Sequence, residues 1–258
     1  MYSLQENLET PTLLKLLAHE IRWQLLTALA HSDYHVQELV ALIKKPMNLI
    51  SYHLKLLRTA DIVHERRSAA DARDVYYSLD LLHFQSVYTM AVESLHPALN
   101  ANHTDPLKQA DESGLPPTRI LFLCTHNSAR SQMAEALMRQ LGGARVEVYS
   151  AGTEPSRVHP TALTVLQEHH IDTNQLSSKR LNQFIGQHFD YVITVCDRAK
   201  ETCPIFPGDP ERIHWSFPDP SAVADPQEQY RAFLQVFVEL EKRLTILLAL
   251  IDHNRKNG

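Results

Sequence analysis

Apolar residues in the front part of the chain recur at helical spacing. Leu13, Leu14, Leu16 and Leu17 are followed by Ile21, Leu25, Leu26 and Leu29, and past a break at Ser32-Asp33 come Val36, Leu39, Val40 and Ile43. Pro46 then stands where a first helical residue belongs, opening the helix MNLISYHLKLLRTA. Two β-prone runs, Ile62–Arg67 and Asp74–Leu79, flank SAADAR and predict a hairpin, and a last helix is expected over about Leu82–Leu95. Residues 98–117, ALNANHTDPLKQADESGLPP, lose the periodicity and carry the Asn, Asp, Ser, Gly and Pro of a linker.

Beyond the linker the pattern alternates between strand and helix. Arg119–Leu123 reads as a short apolar strand and Ser131–Leu141 as a helix closed by Gly142-Gly143. A strand over Val146–Ser150 and a helix over Pro160–His169 follow. Strands at Tyr191–Val195 and Ile213–Trp215 come next, and then a long amphipathic helix over Gln227–Ile251. This alternation predicts an α/β fold with a parallel sheet covered on both faces and ligands at the carboxyl ends of its strands.

The pattern thus divides the chain of 258 residues into a helical domain with a hairpin (1–97), a linker (98–117) and an α/β domain (118–258). No apolar run is long enough to cross a bilayer, and MYSLQENLETPTLLK lacks the features of a secretory signal, so a soluble cytoplasmic protein with no membrane partner is expected. A net charge of −5 gives no global attraction to nucleic acid, so any DNA binding must rest on a local basic surface. The three cysteines, Cys124, Cys196 and Cys203, all lie in the α/β half. An odd number in a reducing compartment argues for catalytic, redox or buried thiols rather than a disulfide framework.

The sharpest feature is LFLCTHNSARSQ, residues 121–132. A cysteine ends a predicted strand, an arginine follows six residues later, and a helix begins at once. A loop of this kind, Thr125, His126, Asn127, Ser128 and Ala129 running into Arg130 and Ser131, can curl its backbone N–H groups around a tetrahedral oxyanion at a helix N-terminus. The same field favours the thiolate of Cys124 and makes it a nucleophile. Arg130 offers a planar fork for two anion oxygens, and Asn127 and Ser128 can brace the loop. Asp219, in the loop after the fourth strand, is placed to serve as a general acid.

Cys124-Thr-His-Asn-Ser-Ala-Arg130-Ser131, Tyr149-Ser-Ala-Gly152-Thr and Asp219-Pro220 resemble the low-molecular-weight protein tyrosine phosphatase family, and within it the arsenate reductase branch, over about Arg119–Leu250. The resemblance implies a four-stranded parallel sheet, with Cys124 as nucleophile, Arg130 as oxyanion binder and Asp219 as acid. Phosphate and arsenate are near-isosteric, so the loop alone does not choose between them. Cys196 and Cys203 favour arsenate, because its reduction needs two electrons that a thiol pair supplies by becoming a disulfide. In the expected relay Cys124 attacks arsenate, Cys196 attacks Cys124, and Cys203 attacks Cys196. A bridge between Cys196 and Cys203 needs their Cα atoms within about 7 Å, so the segment between them must rearrange.

No bound cofactor is expected, and the resemblance implies thioredoxin as electron donor. The competing readings are a tyrosine phosphatase with a DNA-binding domain and a regulator whose phosphatase-like domain only senses an oxyanion. Ser221 stands where tyrosine phosphatases carry an aromatic residue, which weighs against the first. Two departures stand out. His126 replaces a glycine, which raises the question of a positive φ there. Lys179 replaces an acidic ligand of a potassium site that would include Asn127, Glu135 and Ser150, so an ammonium is expected in the ion's place.

In the front half LLKLLAHEIRWQLLTAL, VQELVALIKKPMNLISYHLKLLRTADIVHERR and VYYSL resemble the arsenic-repressor (ArsR-type) winged-helix family. Met47–Arg58 would be the recognition helix, with Asn48, Ser51, Tyr52 and His53 towards operator DNA and Leu49, Ile50, Leu54 and Leu57 inward. Lys44, Lys45, Lys55 and Arg58, with Arg66, Arg67 and Arg73 in the wing, are candidate phosphate contacts. The family implies a homodimer through terminal helices. Residues 1–117 hold no cysteine, so a thiolate arsenite sensor cannot be built there. Two signals remain: arsenite or oxidation acting on Cys124, Cys196 and Cys203, or zinc at a candidate intersubunit group of Asp80, His83, Glu93 and His96.

Overall fold

The computed structural model describes residues 11–71, 73–94 and 116–257. It forms two compact units, residues 11–66 with 75–94 and residues 67–74 with 116–257. The linker expected at 98–117 falls outside the described residues except for its last two.

The first unit begins with α1 (Thr12–Leu17) and α2 (Glu20–His31). His19 caps α2, its Nδ1 accepting the N–H of Ile21. After the short strand β1 (Tyr34–His35) comes α3 (Val36–Ile43), whose Glu38 carboxylate accepts the N–H of His35. Lys44 closes α3 in the left-handed conformation, at φ 55°. Helix α4 (Met47–Thr59) follows, with Pro46 as its extended cap rather than its first helical residue. The hairpin is β2 (Val63–Arg67) and β3 (Val75–Leu79), and β1 adds to it in the order β1-β3-β2. Asp80 caps α5 (Leu81–Glu93), accepting the N–H of His83. The expected inward set is borne out: Leu25, Leu39, Ile50, Leu54 and Leu57 are fully buried, and Leu49 packs against their cluster.

The second unit is a parallel sheet of β4 (Thr118–Cys124), β5 (Val146–Gly152), β6 (Tyr191–Thr194) and β7 (Glu211–His214), in the order β5-β4-β6-β7. Ile120 pairs with Val148 on one side and Tyr191 on the other. Successive strand residues face opposite sides, and Ile120, Leu121, Phe122 and Leu123 are all buried, so both faces of the centre are covered. The helices are α6 (Arg130–Gly142), α7 (Pro160–Glu168), α8 (Asp197–Glu201) and α9 (Pro226–Asn257), and α9 packs against α6 and α7. Gly143, at φ 53°, ends α6, and Pro160 opens α7 behind the His159 cap. Of these four helices α8 has no counterpart in the sequence pattern, because its five residues are too few for periodicity to show; the two-residue β1 lacks one for the same reason.

This topology gathers four strand ends. Cys124 ends β4 and pairs with Gly152 at the end of β5. Cys196 lies just beyond β6, and Asp219 follows β7. Among the described residues no helix is long and apolar enough to cross a membrane.

Candidate active site

Residues 124–130 turn from β4 into α6 with all but the exposed His126 and the half-buried Ser128 buried. Their carbonyls are taken from outside: Thr125 O accepts from Glu154 N at 2.9 Å, His126 O from Ser156 N at 2.9 Å, and Ser128 O from His159 N at 2.8 Å. Gly152 permits this approach, since a Cβ there would lie 2.6 Å from Thr125 O and 2.8 Å from Asn127 N. The left-handed residue of the loop is Asn127, at φ 45°, and not His126. Asparagine tolerates that conformation, so the missing glycine leaves no strain at His126, whose ring Nδ1 meets Glu154 O at 3.1 Å.

Two donors converge on Cys124. Asn127 N donates to Cys124 Sγ at 3.1 Å, and Ser131 Oγ lies 2.9 Å from the same sulfur. Ser131 accepts from Asn127 Nδ2 at 2.9 Å, which leaves its own hydrogen for the sulfur. The other hydrogen of that amide goes to Ser150 at 2.8 Å, and Ser150 donates to the buried Glu135. Glu135 is paired with Lys179 Nζ at 3.0 Å and with Arg139. The expected ammonium therefore occupies this group, and a continuous hydrogen-bond network links it to Cys124, with Asn127 donating both towards Glu135 through Ser150 and towards the sulfur through Ser131. Gln132, which the sequence analysis passed over, donates Nε2 to Asn127 O and Oδ1 and to Ser177 O. It pins the left-handed residue.

Arg130 is buried, with NH1 on Phe217 O at 3.1 Å and NH2 on Asp219 Oδ2 at 2.9 Å. Its Nε is buried with no hydrogen-bond partner. An orphaned guanidinium N–H at the end of the loop that begins with Cys124 fits a tetrahedral oxyanion. Burial pushes the Asp219 carboxyl up, yet Arg130, the hydrogen bonds from Ser221 and the nearby His126 bring it below the ordinary carboxylate value.

The other two cysteines differ from the first. Cys196 is buried, with Sγ 3.4 Å from Thr125 Oγ1 in the loop. Burial pushes its thiol up and Cys124 adds to this, while Arg130 and Thr125 pull the other way. Cys203 follows α8, is half-buried, and is also pushed up by burial, with Arg212 opposing. All three are free thiols.

On α4 the residues Asn48, Ser51, Tyr52, Lys55 and Arg58 are exposed. His53 is not: it is buried beside His19, with ring centroids 4.3 Å apart. It lies three residues after Ile50 and four before Leu57, on the apolar face, and that spacing could have placed it. Arg58 pairs with Glu65 at 2.6 Å, Arg66 is half-buried, and Arg67 and Arg73 are exposed. Of the zinc-type group, Asp80 is engaged by His83 N and by His64 at 3.0 Å. The Glu93 side chain and His96 lie outside the described residues, among which no metal-holding group of three or more ligands occurs.

Residues 119–257 match the family model for low molecular weight phosphotyrosine protein phosphatase, and residues 19–65 that for bacterial regulatory protein, arsR family. An arsenate reductase of Halalkalibacterium halodurans is 40% identical over 126 residues, 48% of this chain and 91% of its own length. One of Oceanobacillus iheyensis is 38% identical over 128 residues, 49% and 92%. A solved structure of an arsenate reductase in oxidized state is 31% identical, covering 52% of this chain and 98% of its own, at a TM-score of 0.46.

Proposed function

The chain belongs to the low molecular weight phosphotyrosine protein phosphatase family and carries an arsR-family segment ahead of that domain, and from this premise we propose that it reduces arsenate to arsenite and regulates transcription. The observation that carries the reading is a second free thiol, Cys196, in contact with the loop that holds Cys124, with a third free and half-buried thiol, Cys203, seven residues further on. A phosphoryl transfer needs one of them; a two-electron reduction uses all three.

Arsenate binds the inward amides and Arg130, and Cys124 attacks arsenic with loss of hydroxide or water. Asp219 serves as the acid: a bound dianion competes for Arg130, weakens its hold on the carboxylate and returns Asp219 towards the protonated form. Cys196 then attacks the Cys124 sulfur. The S–As bond breaks, its electron pair stays with arsenic, and arsenite leaves. Cys203 attacks Cys196, releasing the Cys124 thiolate and leaving a Cys196–Cys203 disulfide. Thioredoxin, as a dithiol donor, restores the pair. In the front half α4 and the wing meet operator DNA as part of a homodimer, in the cytoplasm.

The test is NADPH consumption with thioredoxin and thioredoxin reductase on adding arsenate. Arsenate-dependent turnover is expected, falling at least about a thousandfold in Cys124→Ser. No turnover, with aryl-phosphate hydrolysis in its place, would overturn the reading.

A further inference from the structure

Two buried ionisable side chains of the second unit, His214 and Asp197, have no part in the chemistry above, and His214 reaches residues on either side of Cys196. His214, at the end of β7, reaches across to β6. Its Nδ1 lies 2.8 Å from Thr194 Oγ1 and its Nε2 lies 3.3 Å from Asp197 Oδ1. Thr194 stands two residues before Cys196 and Asp197 directly after it. Ser216 Oγ donates to the same Asp197 oxygen at 2.7 Å. His214, Asp197 and Thr194 are all at most 5% exposed. The backbone adds Trp215 N to Thr194 O at 2.8 Å and Val195 N to Leu123 O at 2.8 Å.

We propose that His214 is a positioning residue that staples Cys196 to the sheet from both sides, so that Cys203 moves during the relay while Cys196 stays in register with Cys124. The proposal rests on the relay reading. Cys196 must meet two partners in succession: the sulfur of Cys124 in the rigid loop, then the sulfur of Cys203 beyond α8. A side chain fixed on each flank, Thr194 and Asp197, keeps the first approach aligned while α8 beyond Asp197 unwinds. Burying a histidine and an aspartate against each other costs desolvation, which good geometry offsets; removing one partner loosens the other. Misplacing a reacting group by about 1 Å costs on the order of a hundredfold in rate, so partial release of Cys196 registers in the step it performs. It leaves the reactivity of Cys124 alone, because none of these contacts touches residues 124–131.

The test isolates that step without arsenate. In full-length Cys203→Ser protein, oxidised glutathione reacts with the Cys124 thiolate to give a mixed disulfide and one glutathione thiolate. Cys196 then attacks the Cys124 sulfur, releasing the second glutathione and forming a Cys124–Cys196 disulfide that cannot pass on. Adding His214→Asn, or the near-isosteric Thr194→Val should the first fold poorly, is expected to slow formation of this disulfide about tenfold. The rate of Cys124 alkylation by iodoacetamide stays unchanged. Equal disulfide rates with and without the staple would overturn the proposal, as would a parallel fall in Cys124 alkylation, which marks a general structural defect. No Cys124–Cys196 disulfide in the stapled protein would remove the relay reading itself, and the staple's role with it.

Discussion

The loop at residues 124–130 and the segment at residues 197–205 both carry cysteines of the site, and they are held in opposite ways. Three loop carbonyls are tied to the backbone of residues 154–159, its left-handed asparagine is pinned by Gln132, and a hydrogen-bond network links Lys179 and Glu135 through Ser150 and Asn127 to Cys124. The other segment is a five-residue helix whose last turn closes through a 3.4 Å contact from Cys203 N to Lys200 O, with Ile205 85% exposed beyond it. The difference suits what the proposed relay asks of each. Oxyanion binding gains from donors fixed before the substrate arrives, whereas a thiol that delivers electrons has to travel. On the proposed relay, preorganisation and movement are divided between two strand ends, with Cys196 at the boundary.

The comparison breaks most severely at Gly152. In Gly152→Ala the new methyl meets Thr125 O and Asn127 N, so the loop must open. A loss of about 3 kcal/mol in denaturant unfolding is expected, together with loss of phosphate or arsenate binding by calorimetry. Lys179→Met comes next. It removes one of two cations from a buried carboxylate, while Arg139 stays paired with the other oxygen. A cost of about 1–3 kcal/mol is expected by thermal unfolding, along with weaker oxyanion binding.

Much of this contrast was legible in the sequence and some was not. The strand–loop–helix around Cys124 and Arg130 could be read because a single local run encodes it, and Lys179 could be placed by resemblance. The tethering of the loop carbonyls could not, since residues 154–159 act through backbone N–H groups that any side chain allows. The staple of His214 across Cys196 joins residues far apart in the chain and left no local pattern. His53 shows a different failure. A polar residue on the apolar stripe of α4 was read by its chemistry, although its spacing from Ile50 and Leu57 put it inside.

The smallest expected effect sharpens the comparison at the edge of the loop. Asp219 has a folded-state carboxyl lowered below its ordinary value of about 3.9. Its pairing with Arg130 thus contributes stability that is present above the ordinary value and is lost as pH falls through the lowered one. Because the carboxylate is partly exposed, solvent screens the effect. Unfolding curves of the native protein and Asp219→Asn should differ slightly at pH 5 and above, and converge in strong acid. A constant gap across that range would show that the pair does not govern the carboxyl.

The central claim is that the rigid loop starts the reaction and the loose segment finishes it. It is tested most directly by treating the fully reduced protein with one equivalent of arsenate, with no other reductant present, and mapping its thiols by mass spectrometry. The account predicts arsenite in proportion to protein, a disulfide between Cys196 and Cys203, and a free Cys124. Arsenate left unreduced with all three thiols intact would contradict it.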